Sequence, residues 1–386
     1  MMHETTVVFY INMGIVLFIG SIMRLMPSLT RKSFLFGVKV PEAAHDHPDA
    51  LRLFRRYRLN CLLATALGVS LSLLQFRLLP ELTIVAALYL PLIPLLLVAL
   101  TYIGNWHLAL ALKEEHGWHV TSVSIADIDA NHYRSAIEGV PWGYYLFSLA
   151  AMLTALVVSI ARYPELPEMI PTNFGFDMDA TVYSPKTMWN VLLGPLLGIV
   201  TVAVTALAGV AIVKAKLQLN PENPALSFAQ HRVYRRLMGH GIGILSLGMT
   251  LLLVVFTLMT IFPGFSVSFE VSMLLTFAPY IPLLVITLRA GQGGNKLNPR
   301  VSEHDMILTG ALDIVVSESY SKSNDDHHWV LGMFYYNSED PSLFIEDRFG
   351  TNVGFNYARS SVKVAVGLMV FAVVALYLWV TAMLLP

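Results

Sequence analysis

Eight long stretches of the chain are strongly apolar, and polar segments separate them. They contain no Lys, Arg, Asp or Glu and cover residues 6–23, 59–76, 82–103, 141–161, 188–213, 241–262, 271–288 and 364–385. A helix of about 20 apolar residues crosses the hydrocarbon core of a bilayer. The pattern therefore predicts an all-α polytopic membrane protein with eight transmembrane helices.

The composition supports this prediction. Hydrophobic residues make up 55% of the 386 residues and charged residues 13%, whereas soluble domains carry about 25% charged residues. This excludes a disordered chain, a nucleic-acid binder with a basic surface and most soluble enzymes. The net charge of -1 favours neither acidic nor basic partners, and the single cysteine, Cys61, excludes an internal disulfide. We expect the lipid bilayer as a partner and no nucleic acid.

The basic residues predict how the helices are oriented. If the N-terminus is outside, 22 of the 25 Lys and Arg residues fall on the inner side, and only Arg77, Arg162 and Lys186 lie outside. Because Lys and Arg accumulate in cytoplasmic loops, we expect both termini outside. The first residues lack a basic segment and no small-residue cleavage site follows the first span, so we expect this helix to be retained and not cleaved as a signal peptide.

Two parts of the chain resemble each other. Residues 88–98 (LYLPLIPLLLV) are similar to 276–286 (TFAPYIPLLVI), and each is preceded by a basic-aromatic helix start, FRRYR at 54–58 and HRVYRR at 231–236. The order of elements predicts two parallel four-helix halves, related by an axis along the membrane normal. The alternative is a chance similarity between apolar segments.

Prolines interrupt corresponding helices of the two halves. Pro91 and Pro94 lie in the third span, and Pro279 and Pro282 in the seventh. Each proline frees a backbone carbonyl, and paired interruptions indicate a central site in transporters with repeats. Kinks that only serve helix packing are the alternative.

The longest predicted outer segment, residues 162–186, is rich in prolines and acids. Four prolines within it predict a stiff, extended path. An oxygen-ligated cation is one interpretation, and a solvated turn before the next helix is the other. The candidate ligand-binding residues here are Glu165, Glu168, Pro171, Asn173, Asp177, Asp179 and Lys186.

This segment resembles a domain of unknown function that also occurs in SdpI-type bacteriocin-immunity proteins. The resemblance rests on PELPEMIPTNF (164–174), GFDMD (175–179), the following SPK and a Gly-Pro-rich helix, and covers about residues 163–206. Asn173 stands where that pattern usually has His. The resemblance implies a bacterial membrane protein and an immunity-like role.

A predicted cytoplasmic insert, residues 290–362, holds ten of the chain's 26 acids. Two β-rich runs bounded by turn residues predict a small antiparallel sheet. The stretch WVLGMFYYNSEDP (329–341) resembles a second domain of unknown function, found at the C-terminus of bacterial multipass proteins and covering about residues 325–360. Residues 36–42 (FGVKVPE) resemble the same group of proteins, so we expect the bacterial cytoplasmic membrane as the location.

Four histidines are weak candidates for a transition-metal site. His45 and His47 on one predicted cytoplasmic segment, and His327 and His328 on another, would supply ligands if they converged. There is no His-Glu-x-x-His motif, no Gly-rich phosphate loop and no Gly-x-Ser-x-Gly motif. We therefore predict no metal, no cofactor and no catalytic residue.

These observations predict five segments and leave three functions open. The segments are a first membrane half (1–161), an outer loop (162–186), three helices of the second half (187–289), the cytoplasmic insert (290–362) and a last helix (363–386). The favoured function is a receptor or immunity-like protein that senses or neutralises an extracellular peptide, with the insert contacting a cytoplasmic protein. A small-solute or lipid transporter with a site between the repeats is the alternative, and a membrane enzyme is the least supported.

Overall fold

The computed structural model describes residues 2–118, 139–175, 178–215, 223–262, 264–303, 305–306, 325–348 and 353–384. These residues are mostly helical, with small antiparallel sheets. The helices are α1 (Met2–Leu29), α2 (Pro48–Leu78), α3 (Thr83–Tyr89), α4 (Leu92–His116), α5 (Trp142–Arg162), α6 (Met188–Lys214), α7 (Pro224–Ile261), α8 (Phe269–Phe277), α9 (Ile281–Ala290) and α10 (Ser360–Leu384). The strands are β1 (Phe34–Leu35), β2 (Val38–Lys39), β3 (Met169–Phe174), β4 (Ala180–Pro185), β5 (Trp329–Val330), β6 (Phe334–Tyr335), β7 (Phe344–Glu346) and β8 (Val353–Phe355).

Seven helical segments of the described residues are long and apolar enough to cross a membrane. They correspond to the first seven predicted spans, with the α3–α4 pair and the α8–α9 pair each counting as one segment. α10, which runs from Ser360 to Leu384, is not counted among these seven, although an apolar helical segment is found over Ser360–Ala375. A polytopic membrane protein is thus supported, and the eighth span stays a prediction.

Two helices begin well before their predicted apolar stretches. α2 begins at Pro48 and α7 at Pro224, so both basic-aromatic segments are helical. Proline suits the first position of a helix because it has no N–H to leave unsatisfied. His47 caps α2, since its Nδ1 accepts from the Asp49 backbone N–H at 3.3 Å. Hydropathy finds only the part of each helix that is apolar enough for lipid.

Both proline-containing spans are broken where the sequence predicts interruptions. α3 ends at Tyr89 and α4 starts at Leu92, with Pro91 between them. α8 ends at Phe277, and a 3-10 turn containing Pro279 (Ala278–Tyr280) leads into α9. The missing N–H of proline removes a helical hydrogen bond, which accounts for the breaks.

The chain divides into two compact units. One contains residues 1–128, 215–228 and 301–386, and the other contains 129–214 and 229–300. In the first, a core that includes Phe36, Tyr57 and Tyr102 joins α2, α4 and the turn between β1 and β2. In the second, Tyr145, Val202 and Ile242 form a core of α5, α6 and α7.

The strands form four two-stranded antiparallel sheets in the described part of the chain. β5 pairs with β6 and β7 with β8, which agrees with the small antiparallel structure predicted in the insert. A bridge between Tyr335 and Asn356 links these two hairpins, and the Tyr357 N–H donates to the Tyr335 carbonyl at 2.9 Å. The insert therefore has a small β-rich body.

Gly37 and Gly332 allow this β-rich body to approach the β1–β2 turn. Gly37 has φ +79°, and a Cβ there would lie 2.3 Å from the Gly332 carbonyl oxygen. No residue with a side chain fits this contact, because the conformation favours glycine and the clash would be with backbone.

Candidate functional site

The segment before α6, predicted to lie outside, forms a β-hairpin on a packed base. Leu166, Ile170, Val191 and Ile261 are buried together, and they join the start of the hairpin to α6 and α7. The Arg162 guanidinium lies 4.8 Å from the centre of the Phe262 ring. The hairpin is therefore mounted on the ends of helices of its own unit.

Lys186, at the end of the hairpin, forms hydrogen bonds to the residues that precede its first strand. Its backbone N–H donates to the Glu168 carbonyl at 2.8 Å, and its Nζ donates to the Leu166 carbonyl at 2.9 Å. Asn190 Nδ2 donates to the Pro185 carbonyl at 2.9 Å. The predicted site residue Lys186 thus holds the base, away from the tip.

The prolines of the hairpin lie at its outer edges. In an antiparallel pair of strands, hydrogen-bonded and non-hydrogen-bonded residue pairs alternate. The hydrogen bond from the Lys186 N–H to the Glu168 carbonyl shows that these two residues form a hydrogen-bonded pair. The pairs Met169–Pro185 and Pro171–Tyr183 are then non-hydrogen-bonded, and their backbone groups face away from the partner strand. Proline has no N–H, so each edge lacks a donor where another strand would pair. Pairing of a further strand with either edge is therefore disfavoured at these positions.

One face of the hairpin is apolar and exposed. Met169, Pro171, Tyr183 and Pro185 share this face because side chains alternate along each strand. Met169 is 48% exposed and Tyr183 55% exposed. We call these four residues the outer face. Pro185 is also exposed, and Pro171 is partly buried. Large contiguous apolar patches on a protein surface mark interaction sites.

Acidic residues flank the two strands along the chain, with Glu165 and Glu168 before β3 and Asp179 before β4. Glu165, Glu168 and Asp179 are all exposed, and Glu165 pairs with Arg162 at 2.6 Å. Asn173, at a register shift of the hairpin, is exposed and accepts from the Phe174 N–H through Oδ1 at 3.0 Å. Asp177 lies outside the described residues, so the predicted Asp177–Asp179 pair is described only through Asp179.

Two of the predicted prolines contact glycines of the preceding long helix. A Cβ on Gly68 would lie 3.0 Å from Pro94 Cγ, and a Cβ on Gly248 would lie 2.0 Å from Pro279 Cγ. Pro91 caps α4, and Pro282 lies in the first turn of α9. The contacts of Pro94 and Pro279 with glycines are helix packing. They favour the interpretation that the prolines serve packing over the interpretation that they line a central site.

The four predicted histidines lie in different surroundings. His47 lies near Asp49 and His116. The His45 ring packs at a tilt against Phe54 with ring centres 4.8 Å apart, and burial lowers the pKa of His45. His327 and His328 pack ring to ring at 3.9 Å. Of the four, only His47 belongs to the group of three metal-ligating side chains found among the described residues.

A buried charged cluster joins the insert to the rest of its unit, and sequence analysis did not find it. Arg348 is fully buried and bonds to Asp326, and its Nη1 donates to the Gly37 carbonyl at 3.2 Å. Lys113 from α4 pairs with the other oxygen of Asp326. The Arg348 guanidinium also lies 4.7 Å from the Trp329 ring centre. This set of contacts anchors the β-rich body.

Asp347, next to this cluster, has an altered acidity. Burial, with a smaller contribution from the neighbouring Glu346 carboxylate, raises the pKa of Asp347 from 3.8 to about 7. Because the pKa in the folded state lies above the unfolded value, the neutral carboxyl favours the folded state fully below pH 3.8, and this contribution is lost as the pH rises from 3.8 to about 7.

The hairpin region is similar to a known domain family. Residues 150–199 match DUF1648, a domain of unknown function. The match covers most of α5, the hairpin and the start of α6, so the outer face belongs to the DUF1648 segment. The predicted domain of unknown function is confirmed here, beginning before residue 163, while its link to SdpI-type proteins and the second domain at 325–360 stay predictions. No match was found among curated proteins or solved structures.

Proposed function

We propose that this integral membrane protein is a receptor or immunity-like protein whose DUF1648 hairpin binds an extracellular peptide. The observation that carries the proposal is the outer face, an exposed apolar surface on a packed base. The fixed base means that little conformational entropy is lost on binding.

The chemistry around the outer face favours a cationic, amphipathic peptide. Apolar side chains of the peptide would contact Met169 and Tyr183, and its basic residues would lie near Glu165, Glu168 and Asp179. Aromatic anchors commonly carry much of the binding energy of such contacts. Because prolines remove donors from both edges, we do not expect the peptide to add a strand.

The proposed location is the bacterial cytoplasmic membrane, with the hairpin and both termini outside. The distribution of Lys and Arg supports this orientation. Residues 290–362 would then face the cytoplasm, where the β-rich body is available to a protein partner.

A transporter with a site between two repeats remains the second candidate. The matched breaks at Pro91 and Pro279 favour it, since paired interruptions occur at transport sites. The glycine contacts of Pro94 and Pro279 favour packing instead. A transporter would show uptake of a solute into proteoliposomes that is lost in Pro94→Ala and Pro282→Ala variants.

Replacing Tyr183 by Ala should weaken protection against the peptide. Cells that lack the gene should be more sensitive to at least one member of a panel of cationic amphipathic peptides, and the wild-type gene should restore resistance. We expect Tyr183→Ala to weaken peptide binding by about tenfold or more, since loss of an aromatic anchor costs at least about 1–2 kcal/mol. The measurement is growth inhibition combined with peptide binding to purified protein.

Val182→Ala is the matched control. Val182 is 47% exposed, adjacent to Tyr183 and on the opposite face of β4. It should protect like the wild type. Unchanged sensitivity of the deletion strain to every peptide, or equal effects of the two variants, would contradict the proposal.

A further inference from the structure

We infer that His47, Asp49 and His116 form a binding site for a divalent transition-metal ion of the zinc type. This site is independent of the hairpin and of the proposed peptide binding. One ligand atom from each of the three side chains lies within 4.8 Å of the other two. The site joins the beginning of α2 to the end of α4.

The distances within the group fit a tetrahedral ion. Asp49 Oδ2 lies 3.5 Å from His47 Nδ1 and 3.6 Å from His116 Nε2. Zinc binds His nitrogen and carboxylate oxygen at about 2.0–2.2 Å, which places tetrahedral ligands about 3.4 Å apart. The three atoms therefore need to move little to share one ion. Imidazole ligands favour zinc and related metals over magnesium or calcium.

His116 is held in the orientation that a metal ligand needs. Its Nδ1 lies 3.1 Å from the Leu112 carbonyl, and only a protonated nitrogen makes that hydrogen bond. In the neutral ring, the lone pair is then on Nε2, which faces Asp49. Metal-ligating histidines commonly donate their second nitrogen to a carbonyl in this way.

Arg52, which is not one of the three ligands, holds the Asp49 carboxylate in place. Its Oδ1 accepts from Arg52 Nη1 at 2.8 Å, which leaves Oδ2 to face the two imidazoles. The carboxylate would bind the ion through Oδ2 alone. His47 Nδ1 would exchange its long 3.3 Å contact with the Asp49 N–H for the metal.

The end of α4 places an aromatic ring against the histidines. Gly117 adopts a left-handed conformation (φ 63°), and the Trp118 N–H donates to the Lys113 carbonyl at 3.0 Å. Trp118 thereby stacks on His116 with ring centres 4.8 Å apart and meets His47 edge-on at 5.4 Å. His47, Asp49 and His116 have partly exposed side chains, so three protein ligands and one solvent-accessible position complete the geometry.

The test is metal binding by the purified full-length protein, after tag removal and chelator treatment. Titration with Zn²⁺ should show one site, and Co²⁺ should give the visible bands of tetrahedral coordination. We expect His116→Gln and His47→Asn to lower zinc affinity at least about tenfold, because loss of even an outer partner costs about 10–100-fold. Asn keeps the helix cap, so a weakened site in His47→Asn would not come from a lost cap.

His107→Gln is the control, since His107 lies exposed on the same helix. It should bind zinc like the wild type. Zinc should also raise the melting temperature of the wild type and of His107→Gln but not of the two ligand variants. Absence of zinc binding, or equal zinc affinity in all four proteins, would overturn the assignment.

Discussion

Replacing Arg348 by Ala should strongly destabilise the β-rich body. Arg348 is fully buried, and its loss would remove a charged partner from Asp326 and a hydrogen-bond donor from the Gly37 carbonyl. Breaking a buried ion pair by removing one partner costs about 3–5 kcal/mol. The loss of packing against Trp329 adds to this.

The effect of Arg348→Ala is measured by thermal unfolding of the detergent-solubilised protein and by limited proteolysis of residues 325–357. Lys32→Ala is the control, since the Lys32–Asp46 pair spans 3.6 Å and both side chains are more than half exposed. Exposed pairs contribute about 0–1 kcal/mol. Similar melting temperatures for the two variants would show that the buried cluster does not hold the insert.

The second large effect is expected for Gly248→Ala. The added Cβ would lie 2.0 Å from Pro279 Cγ and 2.5 Å from Pro279 Cβ. A proline ring cannot rotate away, so α7 must separate from the turn between α8 and α9. Overpacking of this kind costs about 1–3 kcal/mol, which we expect to lower the melting temperature and the yield of folded protein.

Gly104→Ala is the matched control for this change. Gly104 is inside α4, and a Cβ there would meet nothing within 4 Å. Alanine is about 1 kcal/mol better than glycine in a helix, so this variant should be as stable as the wild type or more stable. Equal destabilisation by both substitutions would mean that the proline contact is not tight.

The helices were predictable because lipid imposes a long apolar stretch on each span. Seven predicted spans correspond to helices in the structure. The basic-aromatic helix starts at 54–58 and 231–236 were predicted and are helical, but the hydropathy pattern did not place the beginnings of α2 and α7 as early as Pro48 and Pro224. Proline-based breaks at Pro91 and Pro279 were predicted, since the missing N–H acts locally.

The sites were harder to predict because they depend on distant parts of the chain. The prolines of residues 162–186 indicated an extended path, but they argued against paired strands, so the hairpin was not predicted. Its register places Pro171 and Pro185 where their missing N–H groups face outward from the edges. His116 approaches Asp49 only because α4 packs beside α2. Arg348 likewise meets Asp326 and Gly37 through tertiary packing, and no local pattern distinguishes it from an exposed arginine.

The two predicted fourth helices, α5 and α10, lie in different units. α5 packs against α6 in one unit. α10 packs against α3 in the other, where the Tyr377 OH donates to the Leu88 carbonyl at 3.1 Å. The repeat itself stays a prediction.

Thiol labelling of the hairpin tests the central claim, its display outside the membrane, most directly. The only native cysteine, Cys61, is buried, so Tyr183→Cys introduces a single accessible thiol. Tyr336→Cys, on the exposed surface of the β-rich body, marks the side of the membrane that is proposed to be cytoplasmic. A membrane-impermeant maleimide added to intact protoplasts should label Tyr183→Cys and should label Tyr336→Cys only after lysis. Labelling of Tyr336→Cys in intact protoplasts, with Tyr183→Cys protected until lysis, would contradict an outward-facing peptide receptor.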